Sequence, residues 1–98
     1  MKLLTKEILN AFPRLGETEN FSKEETKIIA KFFDPCGSWT WYATEYDPDT
    51  RTFFGLVDGF EKELGYFSLD ELESVTNSFG LGIERDMYYN NKTLADVS

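Results

Sequence analysis

The chain contains no histidine. That absence removes Ser-His and Cys-His nucleophile pairs, every metal site that needs an imidazole, and the usual side chain that titrates near neutral pH. Cysteine is nearly absent too. Cys36 stands alone, so no disulfide can form within the chain, which suits a reducing compartment. It follows Pro35 in a turn, and with no base or positive field beside it a nucleophilic thiolate is not expected. Long apolar runs are missing: no stretch approaches the roughly 20 residues of a membrane span. An acid at Glu7 interrupts the N-terminal apolar stretch, so no signal peptide is expected and the compartment is read as cytoplasmic. Positive charge is scarce, with 10 Lys and Arg against 18 Asp and Glu, a net of −8.

What is present is apolar and acidic. The 98 residues are 41% hydrophobic and 16% aromatic, enough for one domain with a real core and too aromatic for an acidic disordered chain. Residues 45–73 hold nine acids, Glu45, Asp47, Asp49, Asp58, Glu61, Glu63, Asp70, Glu71 and Glu73, against Arg51 and Lys62. That balance of −7 is nearly the whole net charge. Such a field repels nucleic acid and membranes and attracts basic surfaces.

The periodicity predicts a short helix at Leu4, Ile8, Ala11 and Phe12, capped by Thr5 and stopped by Pro13. Ser22 to Glu25 can form one capped turn. Strands are expected over 27–33, 38–46, 51–57 and 63–67, joined by turns at Asp34-Pro35-Cys36-Gly37, Asp47-Pro48-Asp49 and Asp58-Gly59. In the second strand Trp39, Trp41 and Ala43 share one face, and Thr40, Tyr42 and Thr44 the other. Ser68-Leu69-Asp70-Glu71 matches a capping box opening a second helix to about Thr76. A loop over 77–82, a fifth strand over 83–89 and a last helical turn around Leu94, Ala95 and Val97 complete the chain. The fold class is α+β: an antiparallel sheet of about five strands, with an N-terminal helix and a second helix between strands four and five. No internal repeat, linker or low-complexity segment is visible.

Two readings of the acids compete. Two residues of strand span roughly 6.6 Å, so alternate carboxylates recur on a scale comparable with successive phosphates. They can therefore form an array that binds a basic DNA-binding surface, with Tyr46 or Phe60 as an apolar anchor. The plainer reading is a solvated surface, with acids on the first turn of a helix favoured by its dipole. Aromatic side chains fall on both faces of the sheet, so either both faces are packed or one is a protein-binding surface. Asp47 with Asp49, or Glu84 with Asp86, resemble hard-metal ligands only in pairs, and Arg51 breaks the calcium-loop spacing. No metal or cofactor is expected. The glycines at 55, 59, 65, 80 and 82 do not make a phosphate-binding loop. Nothing selects a catalytic carboxylate pair or pocket, so the chain is read as not an enzyme.

The segment Lys31-Phe32-Phe33-Asp34-Pro35-Cys36-Gly37-Ser38-Trp39-Thr40-Trp41-Tyr42 resembles the signature of a small domain family of unknown function found on bacterial plasmids and phages. Phe53-Phe54-Gly55-Leu56-Val57-Asp58-Gly59, the stretch Glu63 to Leu72, Leu81 to Asp86 and the opening Leu3 to Leu9 continue the likeness. Proteins similar to this family include phage-borne anti-CRISPR inhibitors. The resemblance implies a non-enzymatic accessory protein of mobile DNA, acting in the cytoplasm of a bacterial host. With the charge, it gives the expectation of a monomeric inhibitor that mimics DNA charge and binds a basic DNA-binding protein such as a CRISPR effector subunit. The alternative is an interaction domain that binds through an exposed aromatic sheet face.

Overall fold

The computed structural model describes residues 3–76 and 80–98. Part of the loop expected over 77–82 therefore lies outside the described residues. Helix α1, Lys6–Ala11, is followed by strands β1 (Ala30–Phe33), β2 (Thr40–Asp47), β3 (Thr52–Asp58) and β4 (Lys62–Ser68). Helix α2, Leu69–Ser74, the two-residue strand β5, Glu84–Arg85, and helix α3, Leu94–Val97, complete the order. All strand pairs are antiparallel, in the order β4-β3-β2-β1-β5. The protein is α+β.

Local chemistry sets the helix ends. The Thr5 hydroxyl accepts from the Ile8 N–H, and the Ser68 hydroxyl accepts from the Glu71 N–H. Each satisfies a backbone donor that the first helical turn leaves free. Ser22 and Glu25 bond reciprocally in a single turn, as their spacing predicts. The fifth strand is shorter than the alternation over 83–89 suggests, since only Glu84 and Arg85 pair with β1.

One face of the sheet carries Ala30, Phe32, Ala43, Tyr46, Phe53 and Phe67, and Leu3, Leu4, Leu69, Leu72 and Ile83 cover it. Phe53 is its centre, with its ring 5.3 Å from Phe32, 4.7 Å from Tyr46, 5.2 Å from Phe67 and 5.6 Å from Phe12. The opposite face holds a smaller cluster of Ile28, Leu56 and Leu94, with Tyr42, Tyr89 and Val97 against it.

The regular alternation of β2 fails at one place. Ala43 pairs with Gly55 and Glu45 with Phe54, so Thr44 is an extra residue in a β-bulge. The bulge reverses the facing of everything after it. Tyr46 turns into the main core and Glu45 to the other face. Gly55 is what allows β2 this close, because a Cβ there would overlap the Tyr42 carbonyl oxygen.

Candidate functional site

The nine acids of 45–73 do not form one surface. Glu45 is buried at 3% exposure. Its carboxylate accepts the Gly16 N–H at 2.8 Å, the Thr18 N–H at 2.9 Å and the Thr18 hydroxyl. It therefore pins the loop after α1 onto the second face of the sheet and presents no charge to a partner. The expectation that Glu45 belongs to a binding array is corrected on that ground. Tyr46 is corrected likewise. At 4% exposure it is a core residue between Phe12 and Phe53, and the bulge is what put it there.

The other eight acids fall into two groups at opposite ends of the sheet. Asp47 and Asp49 lie in the β2–β3 hairpin, and α2 with Asp70, Glu71 and Glu73 begins beside it, where Thr52 pairs with Ser68. Asp58, Glu61 and Glu63 lie at the β3–β4 hairpin, where Asp58 pairs with Lys62. Six residue steps of β3 separate the ends, about 20 Å. Within the first group Arg51 joins two of the acids, with Nε 2.6 Å from Asp70 Oδ1 and an Nη 2.7 Å from Glu73 Oε1. The hydrogen bond that Arg51 donates to the Asp70 carboxylate holds the guanidinium charged above its ordinary range. Burial pushes the Tyr46 hydroxyl up; Arg51 draws it back, and Asp70, Glu73 and Asp47 push it further, as expected if these charges gather at that end. Asp47 is partly engaged as well, its carboxylate accepting the Asp49 N–H at 2.9 Å and the Thr50 hydroxyl at 3.0 Å.

Among the described residues no base bridges the acids of the second group. Lys62 turns its ammonium to the Val97 carbonyl, 2.9 Å away. Asp58 is half-buried, and its charge adds to burial in raising Tyr42. Phe60, the remaining anchor expected from sequence, is 94% exposed at the tip of this hairpin. It touches the protein through an edge-on contact with Trp39, 5.3 Å between ring centres.

The sheet face suggested as an aromatic binding surface is mostly covered. Its uncovered part is the β4 margin, where Leu64 and Tyr66 stand half to two-thirds exposed and Tyr66 meets Phe54 edge-on at 5.1 Å. Beside them runs an open groove of about 490 Å³, walled by Phe21, Phe54, Leu64 and Tyr66 above the buried Glu45. Sequence reasoning missed this margin. Its signal was the β4 alternation, with Lys62, Leu64 and Tyr66 on one side and Glu63, Gly65 and Phe67 on the other.

Of the metal pairs considered, Asp86 is 3.7 Å from the Lys31 ammonium, a cation that also lies over the Tyr89 ring. Among the described residues no three acidic or sulfur ligands converge. Among the described residues no helix is long and apolar enough to cross a membrane. Comparison with curated proteins and with solved structures finds no match. The model of one family, described as a protein of unknown function (DUF2958), spans residues 3–97, and the chain belongs to that family.

Proposed function

We propose that this protein is a small non-enzymatic inhibitor that binds a basic, DNA-binding surface of a partner protein. The observation that carries the reading is the outward excess of carboxylate. Eight acids between residues 46 and 73 are exposed or half-buried, against Arg51 and Lys62, which leaves −6 on that stretch of strands, hairpins and α2. The setting we propose is defence evasion by a mobile element, with a CRISPR-type effector subunit as the partner.

Charge density decides how closely DNA is imitated. Duplex DNA carries about 12 negative charges over 20 Å of axis. The protein offers about half of that, gathered at two poles. It therefore reproduces the attraction of DNA and not the phosphate spacing. Two acidic poles steer a basic surface into place, and apolar contacts, at Phe60 on the second pole and at Tyr66 between the two, hold the complex. The aromatic alternative is thus folded into the same surface.

The test uses the partner recovered from host lysate and purified, with its DNA binding as the readout. Affinity should fall log-linearly with salt. The triple variant Glu61→Lys, Glu63→Lys, Glu71→Lys alters only exposed side chains and should bind at least about tenfold more weakly. Affinity that is flat in salt and unchanged by the triple variant overturns the proposal.

A further inference from the structure

Strand β4 is an edge strand, since the sheet order starts with it. Which backbone groups its open side presents follows from two hydrogen bonds. The Leu69 N–H donates to the Arg51 carbonyl at 2.9 Å, and the Gly59 N–H donates to the Glu61 carbonyl at 3.2 Å. Both bonds join β3-side and β4-side residues of odd number. Backbone direction alternates residue by residue along an antiparallel strand. The odd positions Glu63, Gly65 and Phe67 therefore bond to β3. Lys62, Leu64 and Tyr66 direct their N–H and C=O groups away from the sheet.

Leu64 and Tyr66 also leave their side chains exposed, at 51% and 69%. The same two residues thus offer unpaired backbone and uncovered apolar surface. Natural edges are usually shielded by proline, a bulge or covering chain. This one has no proline and pairs with β3 without a register shift. Its guard is charge: Glu63 on the strand, Glu61 before it and Asp70 after it, while Lys62 is turned to Val97.

We propose that β4 is a docking edge that accepts an extended basic segment of the partner as a sixth strand. This rests on the acidic-binder reading and adds where and how the partner attaches. Charge complementarity selects the occupant. A second copy would bring another −8 to an edge already flanked by acids, whereas a lysine-bearing strand neutralises it. The pleat fixes the pattern of that strand. Residues opposite Leu64 and Tyr66 are apolar, and the alternate ones, on the side of Glu63, are Lys or Arg.

The probe is a ten-residue peptide in which lysine alternates with valine. Amide NMR should show shifts concentrated at residues 62–68, with Leu64 and Tyr66 N–H exchange slowed at saturation. In antiparallel pairing the valine amides face β4. Methylating the valine nitrogens should then weaken binding at least about tenfold, while methylating the lysine nitrogens should change it less than about twofold. Loss with the lysine set alone also supports the edge, in parallel pairing. Equal loss from both sets, or from neither, overturns it. So does equal affinity for the peptide with glutamate in place of lysine, or a dimer of the protein alone in sedimentation.

Leu64→Pro removes an outward N–H and leaves the β3 ladder intact, so it should fold and lose about tenfold in peptide affinity. If that variant does not fold, the methylated peptides decide alone. Salt-sensitive peptide binding that shifts α2 and not β4 would remove the edge and leave the acidic-binder reading standing.

Discussion

Replacing Glu45 with glutamine changes one oxygen to nitrogen at a side chain that sequence placed on the surface and the fold buried. The carboxylate receives two backbone N–H groups, from Gly16 and Thr18, and the Thr18 hydroxyl. A glutamine keeps one acceptor oxygen and turns an NH2 group toward the remaining donors. The hydroxyl can rotate to accept; a backbone N–H cannot. One donor is then stranded in a part-buried position, and the bonds that remain lose their charge. Hydrogen bonds to charged groups contribute about 1.5–3 kcal/mol each, so the loss should be about 2 kcal/mol. For a domain of this size that lowers the thermal midpoint by about 8–16 °C. Equilibrium urea unfolding of both proteins, followed by tryptophan fluorescence, measures the difference. Exchange localises it: the Gly16 and Thr18 amides should exchange about 30-fold faster in Glu45→Gln if the loop opens alone. A midpoint within error of the parent, with exchange at those two amides unchanged, would refute the assignment of Glu45 as the pin of the loop. Partner binding should be affected far less than by charge reversal at Glu61, Glu63 and Glu71.

Two further predictions test the sheet and its second face. Gly55 and Gly65 are paired across β3 and β4 yet differ in surroundings: a Cβ at Gly55 meets the Tyr42 carbonyl oxygen and the Ala43 backbone, whereas one at Gly65 meets nothing. Gly55→Ala should therefore unfold at clearly lower urea or fail to fold, and Gly65→Ala should be neutral or stabilising by about 0.5 kcal/mol. The Tyr89 hydroxyl is enclosed without a hydrogen-bond partner among the described residues, and burial, with smaller contributions from Tyr42, Asp96 and Asp86, pushes its pKa up to about 12. The unfolded chain releases that proton near pH 10. Stability from this group is therefore complete below pH 10 and falls as pH rises toward 12. Tyr89→Phe should show a shallower loss between urea midpoints taken at pH 8 and pH 11; equal losses would contradict the assignment.

The sequence determined much of the architecture because its signals are local. Thr5, Ser22 and Ser68 each sit three residues before the N–H they cap, so their turns are written within four consecutive positions. Asp34-Pro35-Cys36-Gly37 and Asp58-Gly59 mark the hairpin turns, and hairpins of consecutive strands leave little freedom in the order β1 to β4. The shortening of β5 was not legible, because alternation over 83–89 reports side-chain facing and not whether a partner strand is in reach. The bulge at Thr44 was not legible either, and it decided the fate of two residues chosen for the site. Strict alternation cannot say which strand will take an extra residue. That was settled by what Glu45 meets on the second face, two N–H donors 27 and 29 residues away. The distribution of charge was likewise a tertiary matter. Composition fixed the −8, but the length of β3 set two acidic poles apart, and Arg51 reached back across the hairpin to Asp70 and Glu73. Local patterns fix which way a short segment turns; only the assembled sheet fixes what stands opposite a side chain and which edge is left open.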